Sequence, residues 1–259
     1  MNARIIGSGD EWLILAHGYG GDQSVWDKIL PYLTRRYRVL VFDWNFSGAV
    51  KDPNLFDPIK YSSFHAFSND LIELMDENKL RSSVFVGHSF SGMVGCIAST
   101  KRPDLFKRLI LIGASPRYLN SDDYEGGFKT SDIEQIFLNI ESNFHTWASN
   151  FAALVVDSKD PLSVEKFEKC LGRMRPEVAL SMAKTIFHSD ERDVLEKVQV
   201  PCTIIQTTND IVVPVSVAHF MQKKIKGKST VEIIEDEGHF PQLTAHQLLL
   251  DVFDRVLGY

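Results

Sequence analysis

Residues 84–92 read Val84-Phe85-Val86-Gly87-His88-Ser89-Phe90-Ser91-Gly92. The apolar, β-branched start suits a short buried strand. An amphipathic helix follows from Met93 through Thr100. Strand, tight turn and helix together are the setting of a nucleophile elbow. Such a turn strains the backbone at the serine, and small neighbours let the helix pack close. The Ser89 hydroxyl then stands at a helix N-terminus, where partial positive charge favours a developing anion. The general pattern is G-x-S-x-G, and Ser91 occupies its last position. Serine is small enough to fit, and Gly92 and Gly95 keep that helix face slim. G-x-S alone is a common tripeptide; the strand before it and the helix after it carry the reading.

A serine hydroxyl is a poor nucleophile without a base, and the base needs an orienting acid. After this kind of elbow the chain order is serine, acid, histidine. The histidines downstream of Ser89 are His145, His188, His219, His239 and His246. His239 lies in Glu237-Gly238-His239-Phe240, just after the apolar run Val231–Ile234. His219 and His246 read as surface helix positions, and His145 and His188 fall in a helical stretch. Asp210, in Thr208-Asn209-Asp210-Ile211-Val212, follows the run Cys202–Gln206. Its competing reading is a turn-capping aspartate. Asp236 is a rival acid but sits too near His239 in sequence. An oxyanion hole needs two backbone N–H groups. Phe90, next after the nucleophile, offers one. Tyr19, in His17-Gly18-Tyr19-Gly20-Gly21 after another apolar run, offers the second.

Outward from the elbow, short apolar runs recur at Trp12–Ala16, Val39–Phe42 and Leu109–Ile112, then at Cys202–Gln206 and Val231–Ile234. Helical spacing lies between them, as in Phe64, Phe67, Leu71, Ile72 and Met75, and in Val215–Ile225 and Gln247–Leu257. This alternation predicts an α/β fold with a mostly parallel central sheet flanked by helices. The core is expected over 1–115 and 196–259. Residues 116–195 carry no strand-like run. They divide into Ser131–Ser142, Phe144–Val155, Ser163–Met174 and Pro176–Phe187, an all-helical insertion over the C-terminal edge of the sheet. Ser131 and Asp132 suit a cap, and Pro161 and Pro176 suit helix starts. The insertion's aromatics are Phe137, Phe144, Trp147, Phe151, Phe167 and Phe187. Most such stripes are core packing, but a lid also needs a face toward its cavity. Trp147, Phe151 and Phe187 are the candidates for that face, which implies a small, mostly apolar ligand.

The 259 residues, 44% hydrophobic and 24% charged, are ordinary for a globular chain with a sizeable core. A net charge of −6 with no Lys/Arg block argues against nucleic acid. The three cysteines, Cys96, Cys170 and Cys202, are widely spaced without C-x-x-C. They read as buried free thiols in a reducing compartment. No metal motif, phosphate loop or cofactor signature is present, so no cofactor is expected. No stretch approaches 18 apolar residues and the start carries no signal-peptide core, so a cytoplasmic and nuclear protein, off the membrane, is expected.

Segments spread over most of the chain resemble a known family. They are Asp22-Gln23-Ser24-Val25-Trp26, Gly87-His88-Ser89, Arg102-Pro103-Asp104-Leu105-Phe106, Ser115-Pro116-Arg117-Tyr118, Tyr124-Glu125-Gly126-Gly127-Phe128 and Gly238-His239-Phe240-Pro241-Gln242. The chain resembles the plant strigolactone and karrikin receptor family of α/β-hydrolases, nearest its dwarf-fourteen-like lineage. The resemblance implies an α/β-hydrolase fold with a four-helix V-shaped lid, here at 116–195. It implies a receptor that binds a small butenolide, cleaves it slowly, rearranges its lid and recruits an F-box protein and a repressor. It implies that the acyl fragment can pass to the histidine. A monomer is the family expectation. The triad carries over to Ser89, Asp210 and His239, and the pocket to Tyr19, Tyr118, Trp147, Phe151 and Phe187.

The chain departs from the family at several points. Family receptors mostly have Phe where Tyr19 stands and Val where Phe90 stands. They have a Gly-rich segment where Asp43-Trp44-Asn45-Phe46-Ser47 stands. Phe90 is expected to add bulk beside the nucleophile, and Tyr19 a hydroxyl to the pocket. Either change would shrink or re-aim the cavity. Two alternatives stay open: a ligand-binding signalling module with a largely idle triad, and a plain carboxylesterase.

Overall fold

The computed structural model describes residues 1–157 and 159–258. The strands are β1 (Arg4–Ile6), β2 (Glu11–Ala16), β3 (Tyr37–Phe42), β4 (Ser83–His88), β5 (Phe106–Ile112), β6 (Cys202–Asn209) and β7 (Ser229–Glu237). They form one sheet in the order β1-β3-β2-β4-β5-β6-β7. All neighbours pair in parallel except β1, which runs antiparallel to β3 with Arg4 opposite Val41. The central strands are apolar on both faces because helices cover both. In β5, Leu109, Ile110, Leu111 and Ile112 are all fully buried.

The helices are α1 (Leu30–Leu33), α2 (Phe64–Glu77), α3 (Phe90–Lys101), α4 (Thr130–Ser142), α5 (Phe144–Val155), α6 (Pro161–Leu171), α7 (Pro176–Phe187), α8 (Arg192–Leu195), α9 (Val215–Lys224), α10 (Pro241–Thr244) and α11 (His246–Leu257). Their periodicity shows in α2, where Phe64, Phe67, Leu71, Leu74 and Met75 face the core. Helices α4 to α7 all lie between β5 and β6 in the chain. α6 starts at Pro161, earlier than its apolar spacing suggests, because Asp160 caps it by accepting from the Ser163 N–H at 3.0 Å. α4 also starts early: Asp132 accepts from the Lys129 N–H at 2.9 Å, so the cap position is Lys129 rather than Ser131.

Parallel strands deliver their C-terminal ends to one edge of the sheet. Loops after β2, β4, β5, β6 and β7 therefore meet there, beneath α4 to α7. Among the described residues, no helix is long and apolar enough to cross a membrane.

Candidate active site

Ser89 joins β4 to α3 with φ +57° and ψ −131°, the strained backbone of the elbow. Glycines make the turn possible. A Cβ on Gly87 would lie 2.7 Å from the Gly92 nitrogen, and one on Gly92 would lie 2.6 Å from Ala114 Cβ. Phe90 is the first residue of α3, so its N–H is one of the donors a helix start leaves free.

The Ser89 hydroxyl donates to His239 Nε2 at 2.9 Å. His239 Nδ1 donates to Asp210 Oδ2 at 2.7 Å. The Asp210 carboxylate accepts three further bonds: Gln206 Nε2 at 2.9 Å, and the N–H groups of Val212 and Val213 at 2.8 and 3.1 Å. The loop carrying His239 is clamped from three sides. Thr207 Oγ1 donates to the Gly238 carbonyl at 2.7 Å. The His239 N–H donates to the Val155 carbonyl at the end of α5, at 2.6 Å. His88 Nε2 donates to the His239 carbonyl at 2.8 Å. Burial holds His88 well below the usual imidazole range, so its ring stays neutral with Nε2–H as donor. Gln206, Thr207 and Val155 are thus positioning groups that no sequence pattern marks, whereas His88 lies within the Gly87-His88-Ser89 segment. Gln206 and Thr207 look like ordinary strand residues, and Val155 acts through its backbone.

The other histidines lie elsewhere. His145, His188 and His219 are exposed. His246 opens α11 and is half-buried rather than a free surface residue. Asp236 accepts from the Thr244 hydroxyl at 2.7 Å. Cys96, Cys170 and Cys202 are buried free thiols. Among the described residues, no group of three His, Cys, Asp or Glu could hold a metal ion.

Two expectations are corrected. The Phe90 ring does not crowd the nucleophile. It points away into an aromatic cluster, with centroids 6.0 Å from Trp44, 5.5 Å from Phe46, 5.7 Å from Phe64 and 5.5 Å from Phe67. The departures at 44–47 and at Phe90 therefore pack against one another. Ser91 joins the same cluster: its hydroxyl donates to the His17 carbonyl at 2.6 Å and accepts from Trp44 Nε1 at 2.9 Å. The Tyr19 hydroxyl is likewise not free in the pocket. It donates to the Ala179 carbonyl of α7 at 2.9 Å, which leaves only its ring to the cavity.

The cavity at Ser89 is lined by Tyr19, Tyr118, Phe151, Phe187, Phe167 and Phe240 among others. Its free volume is about 30 Å³, room for no more than a few water molecules. A second, outer chamber of about 340 Å³ lies between α4 and α5. Trp147 lines this outer chamber and not the inner one. It stacks on Phe151 with centroids 5.0 Å apart. Phe151, Val155 and Val212 line both chambers and form the wall between them.

Residues 11–245 match the family model described as alpha/beta hydrolase fold. The chain is 44% identical to "Strigolactone esterase D14" of Arabidopsis thaliana over 99% of its own length and 96% of that protein's. It is 42% identical to "Karrikin insensitive 2 receptor IA" of Petunia hybrida over 100% of its length and 94% of that protein's. A solved hydrolase from Oleispira antarctica superposes with a TM-score of 0.92 at 31% identity, covering 98% of this chain and 94% of that one.

Proposed function

Because the chain belongs to the strigolactone and karrikin receptor family of α/β-hydrolases, we propose that it is a serine-hydrolase-type receptor that binds and slowly hydrolyses a small apolar butenolide of the strigolactone or karrikin kind. The observation that carries the reading is the continuous hydrogen-bonded line Ser89–His239–Asp210 at the floor of an apolar cavity. His239 takes the Ser89 proton as Oγ attacks the acyl carbon. The Tyr19 and Phe90 N–H groups hold the oxyanion. Asp210 fixes the imidazole and stabilises its cation. His239 returns the proton to the leaving oxygen, and water then releases the acyl group by the reverse sequence. The narrow inner cavity fits slow turnover: a ligand of butenolide size reaches Ser89 only when its walls part.

On this reading residues 116–195 are the lid over a core of 1–115 and 196–259. The pocket is Tyr118, Phe151 and Phe187 within, with Trp147 at the outer chamber. An F-box protein and a repressor as partners, a monomeric state and a cytoplasmic and nuclear setting complete the proposal. What supports the receptor part is the receptor name that relatives carry.

The test is product release from a racemic synthetic strigolactone by wild type and Ser89→Ala, beside thermal shift with the same compound. Slow release by wild type alone, with a raised melting temperature, is expected. Equal release by Ser89→Ala would sink the mechanism. Fast cleavage of simple aryl esters with no shift from any butenolide would favour a plain carboxylesterase.

A further inference from the structure

Tyr118 is 1% exposed and lines the inner cavity; its hydroxyl has the Ser89 hydroxyl as a polar neighbour but no partner in good hydrogen-bond geometry. A buried hydroxyl without a partner is destabilising, and a mobile side chain would turn to find one. The backbone around Tyr118 is held on several sides. Its chain neighbours are pinned by the bridges Arg117–Asp190 and Leu119–Phe128. Its own carbonyl accepts from the Phe128 N–H at 3.1 Å, and its ring meets the edge of Phe187 at 5.7 Å. The preceding carbonyl, of Arg117, is tied to Ser115 Oγ at 2.7 Å and to the Tyr124 hydroxyl at 3.0 Å. The hydroxyl thus stands in a largely apolar wall, facing a cavity whose other polar side chains are Tyr19, His88, Ser89 and His239.

Strand order places the loop that carries Tyr118 relative to Ser89. Ser89 follows β4. Tyr19, an oxyanion donor, follows β2 on one side of β4. Tyr118 follows β5 on the other side, toward the loops after β6 and β7 that carry Asp210 and His239. The leaving oxygen must lie on that side, because His239 protonates it. Burial raises the Tyr118 phenol far above its ordinary value, opposed by the neighbouring Ser89 hydroxyl, so it remains a donor at neutral pH.

We propose that Tyr118 is a catalytic residue whose hydroxyl donates a hydrogen bond to the leaving-group oxygen of the bound ester or lactone. The proposal rests on the hydrolytic reading above. In the step it assists, the Ser89 Oγ–carbon bond forms and the carbon–oxygen bond to the leaving group breaks. The proton that His239 took from Ser89 passes to the leaving oxygen, and Tyr118 keeps its own proton. Its contribution grows with the negative charge that the leaving oxygen must carry.

The experiment compares wild type and Tyr118→Phe on 4-nitrophenyl, phenyl and benzyl acetate. It reads kcat/KM, which reports the steps through acylation. The expected loss is smallest for the 4-nitrophenyl ester and rises to about tenfold or more for the benzyl ester. The melting temperature of Tyr118→Phe is expected to equal or exceed that of wild type, because the variant removes an unpartnered hydroxyl. The trend across leaving groups is independent of the fraction of folded enzyme. An equal loss for all three esters, or none, overturns the proposal while leaving the triad reading intact. Wild type that cleaves none of the three overturns both.

Discussion

Phe90→Val restores the residue that family receptors mostly carry, and in this chain it should be costly. The Phe90 ring is fully buried among Trp44, Phe46, Phe64 and Phe67, at centroid distances of 5.5 to 6.0 Å. The change removes about four carbons, a transfer loss of about 3 kcal/mol. It leaves a void of roughly 50 Å³, adding about 1 kcal/mol. The sum, about 4 kcal/mol, corresponds to a fall of about 7 °C in melting temperature for a chain of this length. Chemical denaturation gives the free energy, and a thermal scan gives the shift. The same substitution in a Trp44→Leu background should cost about 1 kcal/mol less, because rings in contact are coupled. A Phe90→Val protein as stable as wild type, with cleavage shifted toward bulkier esters, would refute the packing argument. It would show that the ring walls the cavity after all.

Asp210→Asn keeps its bonds from Val212 and Val213 but gives His239 the wrong partner, so kcat should fall by about 10³- to 10⁴-fold with the fold intact; a loss under tenfold would show an idle triad. Phe151 stands between the two chambers, so Phe151→Ala should raise kcat/KM for a bulky aryl ester relative to the acetate by several-fold. An unchanged ratio would place the gate elsewhere. His17 and His88 are fully buried, and burial lowers both from the ordinary value of 6.5. Below that value the unfolded chain binds protons that the folded chain refuses. Stability should therefore fall between pH 7 and pH 5.5, by about 1 kcal/mol for each ring that stays neutral. A melting temperature that holds or rises over that range would contradict it.

The central strands and the four long helices between β5 and β6 are legible because burial on two faces, or on one helix face, writes a strong period. α5 and α7 have the bounds that their apolar spacing predicts. β1 is not legible: three residues, two of them exposed, have no period to read, and only the pairing with β3 makes them a strand. Strand ends are longer than their apolar runs, as in β6, because the hydrogen-bond ladder continues through polar residues such as Thr207 and Asn209. The residues of the candidate triad stand out because loops after parallel strands converge on one edge. The direction of a side chain does not stand out. That is why Phe90 reads as a neighbour of the nucleophile's cavity, whereas its ring turns into the core. It is also why Tyr19 reads as a pocket hydroxyl, whereas it reaches the backbone of α7. Partners 160 residues apart leave no local mark in the chain.

The central claim is that Ser89 attacks a butenolide, and the intact mass of the protein tests it most directly. Wild type and Ser89→Ala are incubated with a racemic synthetic strigolactone, weighed by mass spectrometry, and mapped by peptide fragmentation. The account predicts that wild type gains the mass of the acyl fragment, on Ser89 or passed on to His239, and that Ser89→Ala gains none. An unmodified wild type whose melting temperature still rises with the compound, or an adduct on both proteins, would contradict it.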